Sequence, residues 1–420
     1  MKKIAKRVAR LLTLTSLIGG VSVATACGGG QTSNGEITLT VWVPEGDSAF
    51  MSWVTEEFKK ANPDKQYKFI VDYQGENLVA TRVLNDVESA ADVYSFPNDQ
   101  INKLVNGDAL ARLGGNNLTD LTDKIDEKAM ESATVSVGGK DEVYGMPYTD
   151  NTFFLYYDKS VLTADDVKSM DGILAKCSPK KQFAMPFNDG WYSTSFFFGK
   201  GLGFDVTYDE NLAESKIECD FDNEVGKQVT QAMWSLAQNP KVKADANDSK
   251  ITAGFNDGSI VAATTGIWNR KAIESYLGDN FAVAKLPTYT YDSGNGNQEQ
   301  VQLVSFAGYK LMGVNNYSKQ KAEAIRFARF YTNMESQVKH FELRGFVPTD
   351  KVARENEQVK ADVCAVAITE QLKYSKAQKN VPSTLWVPLE GLGNAMLTGL
   401  TSGNFNLNEQ LKACVDAIKK

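Results

Sequence analysis

EITLTVWVPEGDSAFMSWVTEEFKKANPDKQYKFIVDY, residues 36–73, is the stretch that decides the fold. Residues 36–43 alternate apolar and polar side chains, as a half-buried strand does. After the turn PEGDS, Phe50, Trp53, Val54 and Phe58 recur at helical spacing, with Asp47 or Ser48 placed to cap the helix and Pro63 to end it. YKFIVDY, 67–73, predicts a second strand; an apolar-faced helix around 78–87 and a third strand, ADVYSF at 91–96, complete a β-α-β-α-β order. That order predicts an α/β fold with a mostly parallel sheet covered by helices. Ligands of such sheets lie beyond the carboxyl ends of strands, so residues 44–47, 96–100 and the region after Pro147 are candidate ligand-facing loops. Glu45, Asp47, Phe96, Asp99 and Gln100 fall within the first two.

Further along, GGKD at 138–141 reads as a hairpin turn and FFLYYD at 153–158 as a strand. AGFNDGSIVAATTGIWNRKAIESYL, 253–277, reads as a helix end, a strand of small and β-branched residues, a glycine turn and a helix that carries Trp268 near its start. TYTYDSGNGNQEQ, 288–300, reads as a polar loop, and 301–314 as paired short strands. Helical stretches follow over 319–343, about 357–379 and about 392–418, with GFVPTD at 345–350 as a breaker.

The first 35 residues are of another kind. Lys2, Lys3, Lys6, Arg7 and Arg10 form a basic head with no acid, and residues 11–26 are apolar or small, short for a bilayer span. The expectation is a lipoprotein-type signal peptide, 1–26, cut before Cys27, which becomes the lipid-linked N-terminus. Residues 27–35 then form a Gly-rich polar tether. An ordinary secretory signal and an N-terminal membrane helix are the alternatives. Removing the five basic residues takes the formal charge from −7 to about −12, which argues against nucleic acid and against a basic membrane-binding face. The remaining length, beyond the size at which one core usually splits, predicts two lobes.

Cys177, Cys219, Cys364 and Cys414 are widely spaced, so they are either buried thiols or members of up to two disulfides. With His340 the only histidine, a histidine-rich metal site is excluded, and no cofactor motif is present. No GxSxG, HExxH or GxxxxGK[ST] occurs, and GKGLG at 199–203 lacks dinucleotide-binding spacing. A glycosidase would need two placed carboxylates, but among 52 acids any pair can be nominated. Most of the 21 Phe, 16 Tyr and 6 Trp belong to cores. Trp268, Asn188-Asp189-Gly190-Trp191-Tyr192 and Trp386, between two prolines, instead sit in turns among amides and acids. Rings stack on the C–H face of a pyranose while amides and carboxylates take its hydroxyls, so these residues are candidates for a sugar site.

TVWVPEGD (40–47), ADVYSFPNDQINKLVNGDALARL (91–113), EVYGMPYTDNTFFLYYDKSVL (142–162), FNDGSIVAATTGIWN (255–269) and FAVAKLPTY (281–289) stand in an order that resembles the extracellular solute-binding proteins of ABC sugar importers, the maltose/maltodextrin group in particular. The resemblance implies a bilobal periplasmic-binding-protein-like fold joined by hinge crossovers, with one lobe at 36–149 and 289–350 and the other at 152–286 and 352–420. It also implies a monomeric receptor that closes on an oligosaccharide and presents it to permease subunits, making and breaking no bond. By position, Trp268 matches a stacking tryptophan, Tyr192 a second-lobe aromatic, Phe96 a first-lobe tryptophan and Asp99 an acid that bonds sugar hydroxyls. Trp386 lies near a further cleft tryptophan, and Trp42 matches a packed strand residue. Asn151, Gln100 and Gly190 replace a glutamate, an arginine and a glutamate of the family. The expected ligand is a malto-oligosaccharide; another oligosaccharide is the main alternative, and a structural or adhesive lipoprotein a remoter one.

Overall fold

The computed structural model describes residues 35–209, 212–294, 296–402 and 406–420; the expected signal peptide, Cys27 and the tether up to residue 34 lie outside the described residues. Strands β1 (Ile37–Val43), β2 (Tyr67–Tyr73), β3 (Val93–Pro97) and β4 (Met146–Asn151) belong to the first sheet, with the hairpin of Thr134–Val137 and Lys140–Val143 between β3 and β4. They are followed by β5 (Phe153–Asp158), β6 (Gln182–Ala184), β7 (Val242–Lys243), β8 (Ile260–Gly266) and β9 (Phe281–Ala284). Last come β10 (Thr288–Asp292), β11 (Gln298–Gln302), β12 (Ser305–Val314) and β13 (Ser375–Ala377).

The fold is the expected bilobal α/β arrangement. β1, β2 and β3 are parallel, as the opening stretch predicts, whereas β12 runs antiparallel to β3 on one side and to β4 on the other, so the first sheet is mixed. Leu39, Val41 and Val43 alternate into the first core, where Phe50, Val54 and Phe58 of the helix Ser48–Ala61 cover them. Trp42, on the other face, packs partly buried beneath the Arg82 guanidinium. The second sheet has the order β7-β6-β8-β5-β9. In β5, Phe153, Leu155 and Tyr157 enter one core and Phe154 and Tyr156 another, because helices cover both faces of this sheet. The turn at Gly138-Gly139 takes φ of +58° and +75°, which glycine adopts without a Cβ clash, and so closes the expected hairpin.

Several expectations are corrected. Residues 288–300 are not a loop: β10 and β11 pair over their full length, and only the tip is irregular. Placing them from residue 289 in the first lobe also fails, because Tyr289, Tyr291, Val301 and Leu303 are buried in the second lobe's core, where the Tyr289 hydroxyl donates to the Phe196 carbonyl at 3.0 Å. Residues 305–314 form one strand rather than two. The helix expected over 319–343 is two, Lys321–Tyr331 and Met334–Arg344, because Asn333 accepts from Ser336 N at 2.8 Å and starts a new helix. Asp362 likewise divides the next stretch, which ends in β13, and the last begins at Trp386. All four described cysteines are buried free thiols, so neither possible disulfide forms. Burial pushes Cys177 and Cys219 up to about 11 and Cys364 and Cys414 to about 12.

Asp47 occupies the N-cap of its helix but does not cap it. Its buried carboxylate faces His340 Nε2 and Arg344 Nε, each at 3.2 Å, and the Tyr331 hydroxyl at 3.3 Å. Burial would raise its pKa; attraction to His340, Arg344 and Lys310 outweighs burial and holds it below the usual carboxylate range. Asp47 thus fastens the entry of the first helix to Met334–Arg344. Removing one member of a buried charge cluster leaves the others uncompensated. Asp47→Ala is therefore expected to lower stability by about 3 kcal/mol in urea denaturation, while Glu45→Ala, at an exposed site, changes it by less than about 0.5 kcal/mol.

Candidate functional site

A cleft of about 830 Å³ opens where the two lobes and their crossovers meet. The first lobe contributes Glu76 from the turn after β2 and Pro97, Asp99 and Gln100 from the turn after β3, at the carboxyl ends of parallel strands. The second lobe contributes residues 188–192, 245–248 and Lys250, Trp268, Trp386 and Glu390. Asn151 and Gln378 line it from the crossovers.

Local sequence explains each placement. Asp189 caps the helix Gly190–Gly199 by accepting from Trp191 N at 2.8 Å, which sets Trp191 and Tyr192 in its first turn. The Trp191 ring lies 4.8 Å from Phe153, 5.2 Å from Tyr192 and 5.8 Å from Trp268. A Cβ on Gly190 would come within 2.9 Å of Leu389 Cβ and 3.4 Å of Trp386 Cε3, so the absent side chain lets the helix Trp386–Ser402 approach. Trp268 folds back over Gly266: a Cβ there would lie 2.0 Å from Cζ3 of the indole. Trp268 Nε1 is buried with no protein partner. The Tyr192 hydroxyl bonds with Thr265, and Asp248 accepts from Thr265 Oγ1 at 3.2 Å and Asn269 Nδ2 at 2.7 Å.

Six carboxyl groups, Glu76, Asp99, Asp189, Asp245, Asp248 and Glu390, line the cleft against one cation, Lys250, which Asp245 holds at 2.6 Å. Glu76 pairs with Lys310 at 2.8 Å. Burial raises the pKa of Asp189, opposed by the Trp191 backbone bond and reinforced by Asp248 and Glu390. Burial pushes Asp99 up to about 7, with Glu76 adding to the rise and its own backbone and Gln378 opposing it; Asp99 Oδ1 has no protein partner. Such a lining repels anions, and it offers aromatic faces and hydrogen-bond acceptors to a neutral polyol. No group of metal-ligating side chains occurs among the described residues.

The structure brings together Trp268, Tyr192, Trp386, Asp99, Asn151, Trp191, Asp189 and Gln100 from the sequence candidates. It leaves out three. Phe96 is fully buried against Tyr94 in the first core, because β3 is covered on both faces. Asp47 is occupied by His340 and Arg344, and Glu45 is exposed away from the cleft. Gln100 supports the wall rather than facing outward: it accepts from Ala80 N at 3.0 Å and donates to the Glu76 carbonyl at 3.1 Å. Sequence reading passed over Glu76, 245–248, Glu390 and Gln378. The loop after YKFIVDY obeyed the same strand-end rule that selected 96–100 and signalled Glu76.

Residues 53–366 match the model of the bacterial extracellular solute-binding protein family. The chain belongs to that family. Membership places this solute-binding protein outside the cytoplasm. It is 23% identical over 436 residues to the galactooligosaccharide-binding protein of Bacillus subtilis (strain 168), with 98% of both chains covered. It is 24% identical over 428 residues to the maltodextrin-binding protein MdxE of the same organism, over 98% of this chain and 97% of the other. A solved chain with acarbose is 32% identical with a TM-score of 0.81, covering 92% of this chain and 99% of that one. The maltodextrin binding protein MalE1 from L. casei BL23 without ligand is 26% identical with a TM-score of 0.75, covering 92% and 100%.

The Asp99 environment makes a prediction that needs no ligand. A carboxyl whose pKa is raised on folding favours the folded state while protonated, so its contribution declines as pH rises from about 4 to about 7. Asp99→Asn removes that decline. Allowing for water in the cleft, the variant should exceed the parent by about 2 kcal/mol at pH 8 and match it near pH 3.5, as read by thermal unfolding at both values.

Proposed function

We propose that this solute-binding protein captures malto-oligosaccharides in the cleft and delivers them to an ABC permease, with no bond made or broken. The observation that carries the reading is the set of cleft tryptophans, 191, 268 and 386, surrounded by carboxyl and amide groups with one paired cation. The volume lies toward the upper end of the ~300–1,000 Å³ range for small-molecule sites, in keeping with an oligomer rather than a single sugar. Relatives and structural neighbours bind maltodextrin or were solved with acarbose, which supports an α-glucan.

Each lobe holds part of the contact set, so only the closed arrangement satisfies all of it, and ligand shifts the open–closed equilibrium. In this reading Cys27 carries the lipid, the tether holds a monomeric receptor near its permease and raises its effective concentration there. The galactooligosaccharide-binding relative favours a second reading, a galacto-oligosaccharide in the same cleft.

Calorimetric titration of the protein from residue 28 onward tests both. Maltotriose is expected to bind saturably and more tightly than maltose, a β-linked galacto-oligosaccharide or raffinose. Trp268→Ala should weaken binding by roughly 30-fold, equivalent to about 2 kcal/mol. Gly266→Ala, which displaces the indole without deleting it, should weaken it in the same direction. Tightest binding of the galacto-oligosaccharide would transfer the assignment to the second reading, and no heat from any sugar would remove the receptor reading.

A further inference from the structure

Gln378 stands at a point where both lobes and a crossover strand meet through a single side chain. It follows β13, whose residues pair in parallel with the start of β12. Its N–H donates to the Ala307 carbonyl at 2.9 Å, and its carbonyl accepts from Asn98 Nδ2 at 2.7 Å. Asn98 Oδ1 in turn accepts from Tyr309 N at 2.9 Å, so the backbone of residue 378 is held against both the first-lobe turn and β12. The side chain is only 4% exposed, and what shows of it lies in the cleft wall.

Its two amide ends point to different lobes. Oε1 accepts from the Trp191 indole Nε1 at 3.0 Å, and the side-chain amide lies against the Asp99 carboxyl and favours its charged form. A Cβ on Gly308 would lie 2.7 Å from Oε1, so glycine at 308 leaves the room that this orientation needs. Leucine at 378 would leave a part-buried indole N–H and the Asp99 carboxyl without this partner, and a glutamate would serve the indole while opposing Asp99.

We propose that Gln378 is a positioning residue that couples the first-lobe acid Asp99 to the second-lobe stacking surface of Trp191, fixing their relative orientation for the oligosaccharide. The proposal rests on the sugar-binding reading for its consequence, but its geometry can be measured without a sugar.

The test is indole 15N–1H spectroscopy of the ligand-free protein from residue 28 onward, with the Trp191 resonance assigned through Trp191→Phe, followed by titration with maltotriose. Gln378→Leu should move the Trp191 indole proton upfield and weaken maltotriose binding about tenfold, the loss expected of about 1.4 kcal/mol. Gln378→Glu should keep the indole resonance near its original position yet still weaken binding, which separates the two ends of the side chain. Gly308→Ala, which displaces Oε1 while retaining Gln378, should reproduce the indole shift if Gln378→Leu fails to fold. An unmoved Trp191 resonance in a folded Gln378→Leu or Gly308→Ala protein would overturn the proposal, as would unchanged affinity in all three variants. Should the parent protein bind no sugar, the proposed function fails, while the indole shifts still decide whether Gln378 holds Trp191.

Discussion

The ten residues of strand β12 carry one of the connections between the lobes. In β12, Leu311, Met312 and Val314 are buried in the first core, whereas Phe306 lies in the second, against Phe198, Phe204 and Trp386. The strand is therefore bonded to β3 and β4 along its latter part and to β13 at its start. Beside it, the passage from β4 to β5 is fixed by Thr152, which donates to the Phe306 carbonyl at 2.6 Å and lies 2.9 Å from Ser305 Oγ. A third passage is held where Thr149 Oγ1 and Asp150 N both bond to the Val347 carbonyl and Arg354 pairs with Asp150 at 2.7 Å. Relative motion of the lobes has to be absorbed within these few bonded residues, since each lobe's core is close-packed and moves as a body. The cleft lies beside them, so small rotations there change how its two walls face each other.

The two aspartates that follow β1 and β3 show how environment assigns a role. Asp47 and Asp99 both stand just past the carboxyl end of a parallel strand, where strand topology alone would make either a ligand contact. Asp47 is met by His340, Arg344 and Tyr331 and is held charged as part of the scaffold. Asp99 has no cation against it, retains an oxygen without a protein partner and has its pKa raised by burial. Strand-end position selects candidates; the charges brought from distant segments decide among them.

The same distinction explains what the sequence made legible. Alternation in residues 36–43, helical spacing at Phe50–Val54–Phe58 and apolar residues on both faces of 153–158 are local signals, and the elements they announced are present. Trp268 and Asp189-Gly190-Trp191 were visible because glycine and a capping acid beside aromatics are unusual in a core. β13 and the burial of the 288–302 hairpin in the second lobe depend on partners many residues away, and polar composition concealed them. Phe96 was misjudged because a residue matched by position takes its exposure from what covers its strand, and here that cover is Tyr94 and the first core. Glu76 was recoverable from the rule already in use; Gln378 was not, since its role exists only where β13 meets β12 and Asn98.

The distribution of unused binding groups also gives an order to the two half-sites. On the first-lobe wall, Gln100 is bonded to the backbone of residues 76 and 80 and Glu76 is paired with Lys310, while Asp99 Oδ1 is an acceptor without a protein partner. The second lobe supplies all three tryptophans, and Trp268 Nε1 is a donor without a protein partner. Stacking area is the larger part of the attraction for a polyol with apolar faces, and it does not require the lobes to be together. In the proposed function, a sugar would take its stacking contact from the second lobe and its directional bond to Asp99 from the first. On that reading, affinity would reside chiefly in the aromatic surface and closure would be governed by the smaller set of polar groups facing it, because only interactions that differ between two arrangements can shift their populations.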